Sequence, residues 1–462
     1  MSWPQQPPPG GPPHPSGPGG PPPGGPPPGG PPHGWAPHPG WRQSPHAQHS
    51  RHPQTSPQQP YPAAQAHPQQ VAAGWGQHQT YSPQYAPTQA QTNPTARPAI
   101  RTWVLGGIVV LGSLVALLVF AAIFGFSYGI LATILGLLFA AIPLFIVLPV
   151  FIWLDRFEAE PWRYLVTAFL YGALGSTLLA LAVNTLGGAV LSGIVNPTSA
   201  TTLSAVIVAP LSEETFKGAF LLLILALRRR EFNGIIDGVV YAGIVGAGFA
   251  FTENILYLAR SYVEYGGGAF AAVFVMRGLL SPFLHPMFTA MTGIGVGIAA
   301  SSRAAGVKVV APIIGWCAAV LLHGLWNLSA SSGVGGVVIG YILGFVVFVA
   351  FLSFVIWARS REGRIIGQFL TPYADTGWLS VGEVTMLSSM RQRREARSWA
   401  RISGGSASLR SMRSFQDAAS ELALLRARMH RHEADARALH DERVLLDSMT
   451  ARRREFAGMP VR

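Results

Sequence analysis

Between Trp103 and Trp357 the chain carries eight apolar runs, at residues 103–125, 128–153, 164–190, 203–227, 235–258, 270–300, 309–329 and 334–357. Each reaches the roughly 20 residues needed to cross about 30 Å of hydrocarbon. Lipid offers no partners to backbone N–H and C=O groups, so such runs must satisfy their own hydrogen bonds as helices. The pattern predicts an all-α, polytopic membrane bundle of about eight transmembrane helices, kinked at Pro143, Pro149 and Pro210. Composition agrees: 12% of the 462 residues are charged, against about 25% for soluble domains. An ordinary soluble enzyme is therefore not expected.

The flanks differ from this core. Residues 1–98 hold 28 of the 38 prolines, with runs such as PPPGGPPPGGPP and few branched aliphatics. They cannot bury enough apolar area to offset ordering entropy, which predicts a disordered arm with polyproline II character and no signal peptide. Its scattered histidines have no metal-site spacing, and the Pro-rich arm is a candidate for binding other proteins. Residues 359–462 form a basic tail with 19 arginines against 12 acids. The stretch 414–456 is helix-compatible, with Leu425, Met429, Leu439, Leu446 and Met449 on one narrow stripe. Residues 99–358 form the membrane domain between them. Arginine collects at alternate boundaries, at Arg97 and Arg101, Arg156 and Arg163, Arg228 to Arg230, Arg303, and Arg359 to Arg364. By the positive-inside rule both termini are cytoplasmic in a multi-pass plasma-membrane protein. The net charge of +12 suits an anionic inner leaflet. No nucleic acid partner is expected, and the lone Cys317 supports neither a disulfide framework nor a cysteine-based zinc site.

Ionisable groups inside these spans cost roughly 2.5–3.5 kcal/mol each at mid-helix and call for a reason. Span four holds Glu213, Glu214 and Lys217 in PLSEETFKG. Lys217 is about 15 Å from the nearer span end, too deep for its ammonium to reach water, so it needs an internal partner. Glu213 and Glu214 precede it by four and three residues, and either can pair with it. A glutamate four residues before a lysine is the better helix pair, which assigns Glu213 to Lys217 and leaves Glu214 as a candidate base. Span five carries Phe249, Glu253 and Asn254; span six carries His285 and Thr289; span seven carries His323 and Asn327. Glu253 and His323 lie about 9 Å from their outer span ends and Glu213 about 16 Å, so they can share one site. Asp237 and Arg277, near span ends, read as snorkelling or capping residues. Asp155, Glu158 and Glu160 read as interface residues, while Gly243, Gly246 and Gly248 permit close helix approach.

The ordered set EExxK, FxxxE, HxxxT and a final histidine, one per successive span, resembles the PrsW-type intramembrane proteases, relatives of the CAAX prenyl endopeptidases. That family usually has serine where Thr289 stands, and the hydroxyl is retained. The resemblance implies hydrolysis of peptide bonds in membrane-anchored protein substrates, such as anti-sigma factors, near the outer half of the bilayer. By that analogy Glu213 or Glu214 activates water, His285 assists proton transfer, and Asn327 or His323 stabilises the oxyanion, with Lys217, Phe249, Asn254 and Thr289 in support. No cofactor is required by the motifs, and metal-free glutamate catalysis is the favoured mechanism. If a metal takes part, Glu253, His285 and His323 offer a His2Glu zinc set, although no HExxH spacing places two ligands on one helix. The alternative function is a proton- or cation-coupled transporter using the same carboxylates.

Overall fold

The computed structural model describes residues 100–458 apart from 158–159, 228–231, 233 and 432–436, with side chains from Val110 onward. The expected disordered arm, residues 1–98, lies outside the described residues. Every regular element among the described residues is a helix. Among the described residues six helical stretches are long and apolar enough to cross a membrane: Val110–Leu154, Trp162–Ser192, Ile235–Tyr265, Gly267–Ala300, Ala305–Ser331 and Gly333–Asp375. The chain is a multi-pass membrane protein.

The first stretch contains two crossings. Helix α1 (Ile100–Ala141) is broken at Gly129, whose φ of 77° and ψ of 162° leave the helical region at a position where glycine has no Cβ to clash. Phe120 and Ala140 then meet in one cluster with Ile255, Leu258 and Phe270, although twenty helical residues would separate them by about 30 Å. The expected kink at Pro143 separates α1 from α2 (Leu144–Leu154). Helix α3 (Trp162–Ser192) follows, then α4 over 197–227, the run whose three ionisable residues offset its apolar content. Asn196 caps α4 by accepting from Ser199 N at 2.9 Å, with Pro197 in the first turn.

Helix α5 (Ile235–Tyr265) is the axis of the bundle, buried almost continuously from Asp237 to Phe249. Close approach requires its glycines. A Cβ on Gly246 would lie 2.8 Å from His285 O and Pro286 Cα, so this glycine sets the backbone that carries His285. The single crossing expected over 270–300 is broken at residues 281–283 into α6 (267–280) and α7 (Leu284–Ala300). His285 consequently sits in the first turn of a new helix rather than along a continuous one. Helix α8 (Ala305–Ser331) completes the site, and α9 (Gly333–Asp375) packs beside it.

At 43 residues α9 is about 64 Å long, twice the hydrocarbon thickness. It runs unbroken past Arg359, where a partly helical tail was expected to begin. Its far end joins α10 (Val381–Ser388), α11 (Met390–His430) and α12 (Ala438–Phe456) around a separate core that includes Ile366, Leu370, Phe415, Leu422 and Phe456. Of the anticipated stripe, Leu425 and Met449 are buried while Leu439 is 70% exposed. Phe157, from the turn after α2, is inserted into this second core.

Candidate active site

Helix α4 presents Glu213, Glu214 and Lys217 to the interior, where all three are buried. Lys217 Nζ lies 2.8 Å from Glu214 Oε1, 3.4 Å from Glu213 Oε2 and 3.2 Å from His285 Nδ1. It also stands over the Phe249 ring, 3.8 Å from the centroid, a favourable place for a desolvated cation. Phe249 therefore acts as a wall of the lysine pocket.

Lys217 pairs with both glutamates, with Glu213 as the i,i+4 spacing led one to expect and more closely with Glu214, three residues before it. The reason is interhelical. Thr289 Oγ1 donates to Glu214 Oε2 at 3.0 Å and His323 Nδ1 is 3.0 Å from Glu214 Oε1, so α7 and α8 pull this carboxylate inward. Glu214 is sealed at 0% exposure. Glu213 instead lines a cavity of about 470 Å³, together with Asn184, Glu253, His285, His323 and Asn327. Asn184 Nδ2 donates to Glu213 Oε1 at 3.3 Å, and Ser212 Oγ donates to Asn184 Oδ1 at 2.5 Å.

Glu253 is held by Arg277, whose terminal nitrogen donates at 2.6 Å, and by His285 Nε2 at 2.6 Å. Arg277 also donates through Nε to Asn254 Oδ1 at 2.9 Å and stacks 4.1 Å over Tyr257. Far from a snorkelling position, Arg277 is a wall of the cavity. Asn184 and Arg277 escaped the motif-based reading, although each is a polar residue inside an apolar run. Applying the burial-cost argument to every span would have found both.

The described residues include three wide, π-helical turns, Tyr171–Ser176, Ser204–Val208 and Phe274–Leu280, and the last two contribute Ala205, Met276 and Arg277 to the cavity wall. Such turns free backbone carbonyls and recur near functional sites. Here Ala173 O accepts from Thr252, Ala205 O from Asn327 Nδ2 at 2.8 Å, and Met276 O from Tyr341 at 3.0 Å. Asn327 thus ties α8 to α4 as well as facing the cavity.

The donor set that converges is Glu213, His285 and His323, with one ligand atom from each within 4.8 Å of the others. Glu253 was expected in place of Glu213, but it is turned onto Arg277 and the far nitrogen of His285. Each histidine has one ring nitrogen on a carboxylate, His285 on Glu253 and His323 on Glu214. Metal-binding histidines are commonly oriented in this way. His323 Nε2 then lies 3.8 Å from Glu213 Oε2. Three carboxylates face two fixed cations, so the residues present fit a divalent metal.

Comparison with known proteins finds these motifs in similar sequences. Residues 160–355 match the sequence model of the PrsW family of intramembrane metalloproteases, the segment that contains every motif named above. Protease PrsW of Geobacillus kaustophilus (strain HTA426) is 31% identical over 144 residues, 31% of this chain and 57% of that protein. Protease PrsW of Oceanobacillus iheyensis is 31% identical over 117 residues, 25% of this chain and 49% of that protein. Protease PrsW of Clostridioides difficile (strain 630) is 30% identical over 139 residues, 30% of this chain and 55% of that protein. The chain spans about half the length of the curated relatives it matches. No solved structure gives a significant match. The PrsW-type resemblance is borne out over residues 160–355.

Proposed function

We propose that the chain is an intramembrane peptidase that hydrolyses membrane-anchored proteins, single-span anti-sigma factors being one candidate class. The observation that carries this reading is the division of labour in the acidic pair. Glu214 is sealed behind Lys217, Thr289 and His323, while Glu213 lines the cavity that a peptide bond and a water would share. Without a bound metal Glu213 is the proton acceptor for that water, and Asn184 and Lys217 hold its two oxygens apart. His285, buttressed by Glu253, and His323, buttressed by Glu214, present rigid imidazoles to the same space for proton transfer and oxyanion support. Glu213, His285 and His323 would hold a metal such as zinc. When bound, it would lower the pKa of its water and polarise the scissile carbonyl.

Both termini belong on the cytoplasmic side by the arginine asymmetry, which puts the cavity in the outer half of a plasma membrane. Transport through the bundle is disfavoured by packing. A second polar group, in which Tyr241 donates to Glu160 at 2.6 Å, lies eight residues below Phe249. Of the α5 residues between, Ala242, Ile244, Val245 and Ala247 are buried at 0–3% exposure. The test is to follow a single-span reporter protein for a new fragment with the wild type, Glu213→Gln and Glu214→Gln. Loss with Glu213→Gln at normal abundance supports the reading, and full cleavage by that variant overturns it.

A further inference from the structure

The ammonium of Lys217 and a divalent cation at this site would draw on the same atoms. Lys217 Nζ is 3.4 Å from Glu213 Oε2 and 3.2 Å from His285 Nδ1. Glu213 and His285 are two of the three residues whose ligand atoms converge. His285 Nε2 is already committed to Glu253 at 2.6 Å, which leaves Nδ1 as the nitrogen free to ligate. That nitrogen is the one facing the lysine. A metal bonds imidazole at about 2.0–2.1 Å and carboxylate oxygen at about 2.0–2.2 Å, so a metal and an ammonium cannot both use these lone pairs. Lys217 has somewhere else to go, because its shortest contact, 2.8 Å, is to Glu214, which lies outside the converging set.

We propose that Lys217 is a built-in competitor for the metal: without metal its ammonium satisfies Glu213 and His285, and it retreats onto Glu214 and the Phe249 face when a divalent cation enters. The lysine then stabilises the bundle before metal arrives and keeps the site's affinity within an exchangeable range. This inference rests on the reading of the site given above, but it is tested by binding rather than by cleavage. Failure of one can therefore be told from failure of the other.

The full chain in nanodiscs is titrated with Zn²⁺ against a chromophoric chelator. Site-specific binding is the part lost in His323→Asn, which leaves the histidines of the N-terminal arm in place. Lys217→Met should bind Zn²⁺ on the order of 10- to 100-fold more tightly, the usual size of an outer-sphere effect. Equal affinity in a folded Lys217→Met protein overturns the proposal, as does absence of site-specific Zn²⁺ binding in both proteins. A second measurement avoids the substitution. Lys217 and Lys308 are the only lysines, so ¹⁵N-lysine labelling of the Lys308→Arg protein reports Lys217 alone. Zn²⁺ should shift that signal in parallel with site-specific binding. An unmoved signal at saturating, His323-dependent Zn²⁺ refutes the competition.

Discussion

Among the described residues two cations are wholly buried, Lys217 in the membrane bundle and Arg393 in the helical unit built on the end of α9, each at 0% exposure. Their surroundings differ. Lys217 is met by two carboxylates and an imidazole beside a cavity. Arg393 is met by backbone and hydroxyl oxygens: Nε donates to Leu387 O at 2.8 Å, and the two terminal nitrogens donate to Phe157 O at 3.3 Å, Gln416 O at 3.3 Å and Ser420 Oγ. Its guanidinium stacks 5.1 Å over Phe157. Burial pushes it down to about 10, so it stays charged at neutral pH. A buried charge solvated by fixed dipoles is architecture, since none of its partners can take up a proton. One surrounded by ionisable groups at the edge of a cavity can serve chemistry.

The comparison can be broken most directly at the carboxylate on the cavity wall. Glu213→Gln should lower cleavage by a factor on the order of 100 or more, at unchanged abundance on an immunoblot. The corresponding change in the other region, Arg393→Met, strands three carbonyls and a hydroxyl. It should cost about 3 kcal/mol in the C-terminal unit, read as a lower melting temperature and new proteolytic sites between 376 and 458, with the cavity residues intact. If Arg393→Met abolished cleavage as fully as Glu213→Gln, the division between architecture and chemistry would be wrong.

A finer probe is Thr289. Thr289→Val removes the donor to Glu214 and should lose about 1 kcal/mol, visible as a lower melting temperature, while Thr289→Ser should restore the wild-type value to within about 0.5 kcal/mol. A pH-dependent effect is expected at the joint between the regions. Burial raises the Asp155 carboxyl to about 8, although Glu160 N donates to its Oδ2 at 2.9 Å. The folded protein therefore holds a proton there that the unfolded chain releases near pH 4. Stability from this group is greatest below that value and declines as pH rises toward about 8. Asp155→Asn should flatten the melting temperature between pH 6 and 9. An unchanged slope would show that Asp155 is not the titrating group.

Much of the site was legible in the sequence because a charge in a lipid-soluble run has no cheap explanation. Glu213, Glu214, Lys217, Glu253, His285 and His323 all announced themselves that way. Which glutamate serves which purpose was not legible, since residues three and four before a lysine both lie on its helix face. Thr289 and His323, 75 and 109 positions away, made the choice. Arg277 was misread for a related reason. Counted along an unbroken crossing it belongs near an interface, but the break at residues 281–283 makes α6 a short helix whose arginine reaches Glu253 and Asn254 on α5.

The C-terminal unit shows the same limit in ordinary packing. Its helices were partly visible as a 3.6-residue pattern, but its core needs Phe157, more than 200 positions before Phe415 and Phe456, and that partnership has no local signature. The sequence by itself determined that the chain crosses a membrane several times and which polar side chains must find one another there, because hydrophobic transfer and helix periodicity are local and nearly additive. Only the tertiary structure decided that Glu213 faces the cavity, that Glu214 is sealed behind Lys217, and that Arg277 holds Glu253. Those outcomes depend on which donors from distant helices reach an oxygen first, and spacing along one helix does not encode that.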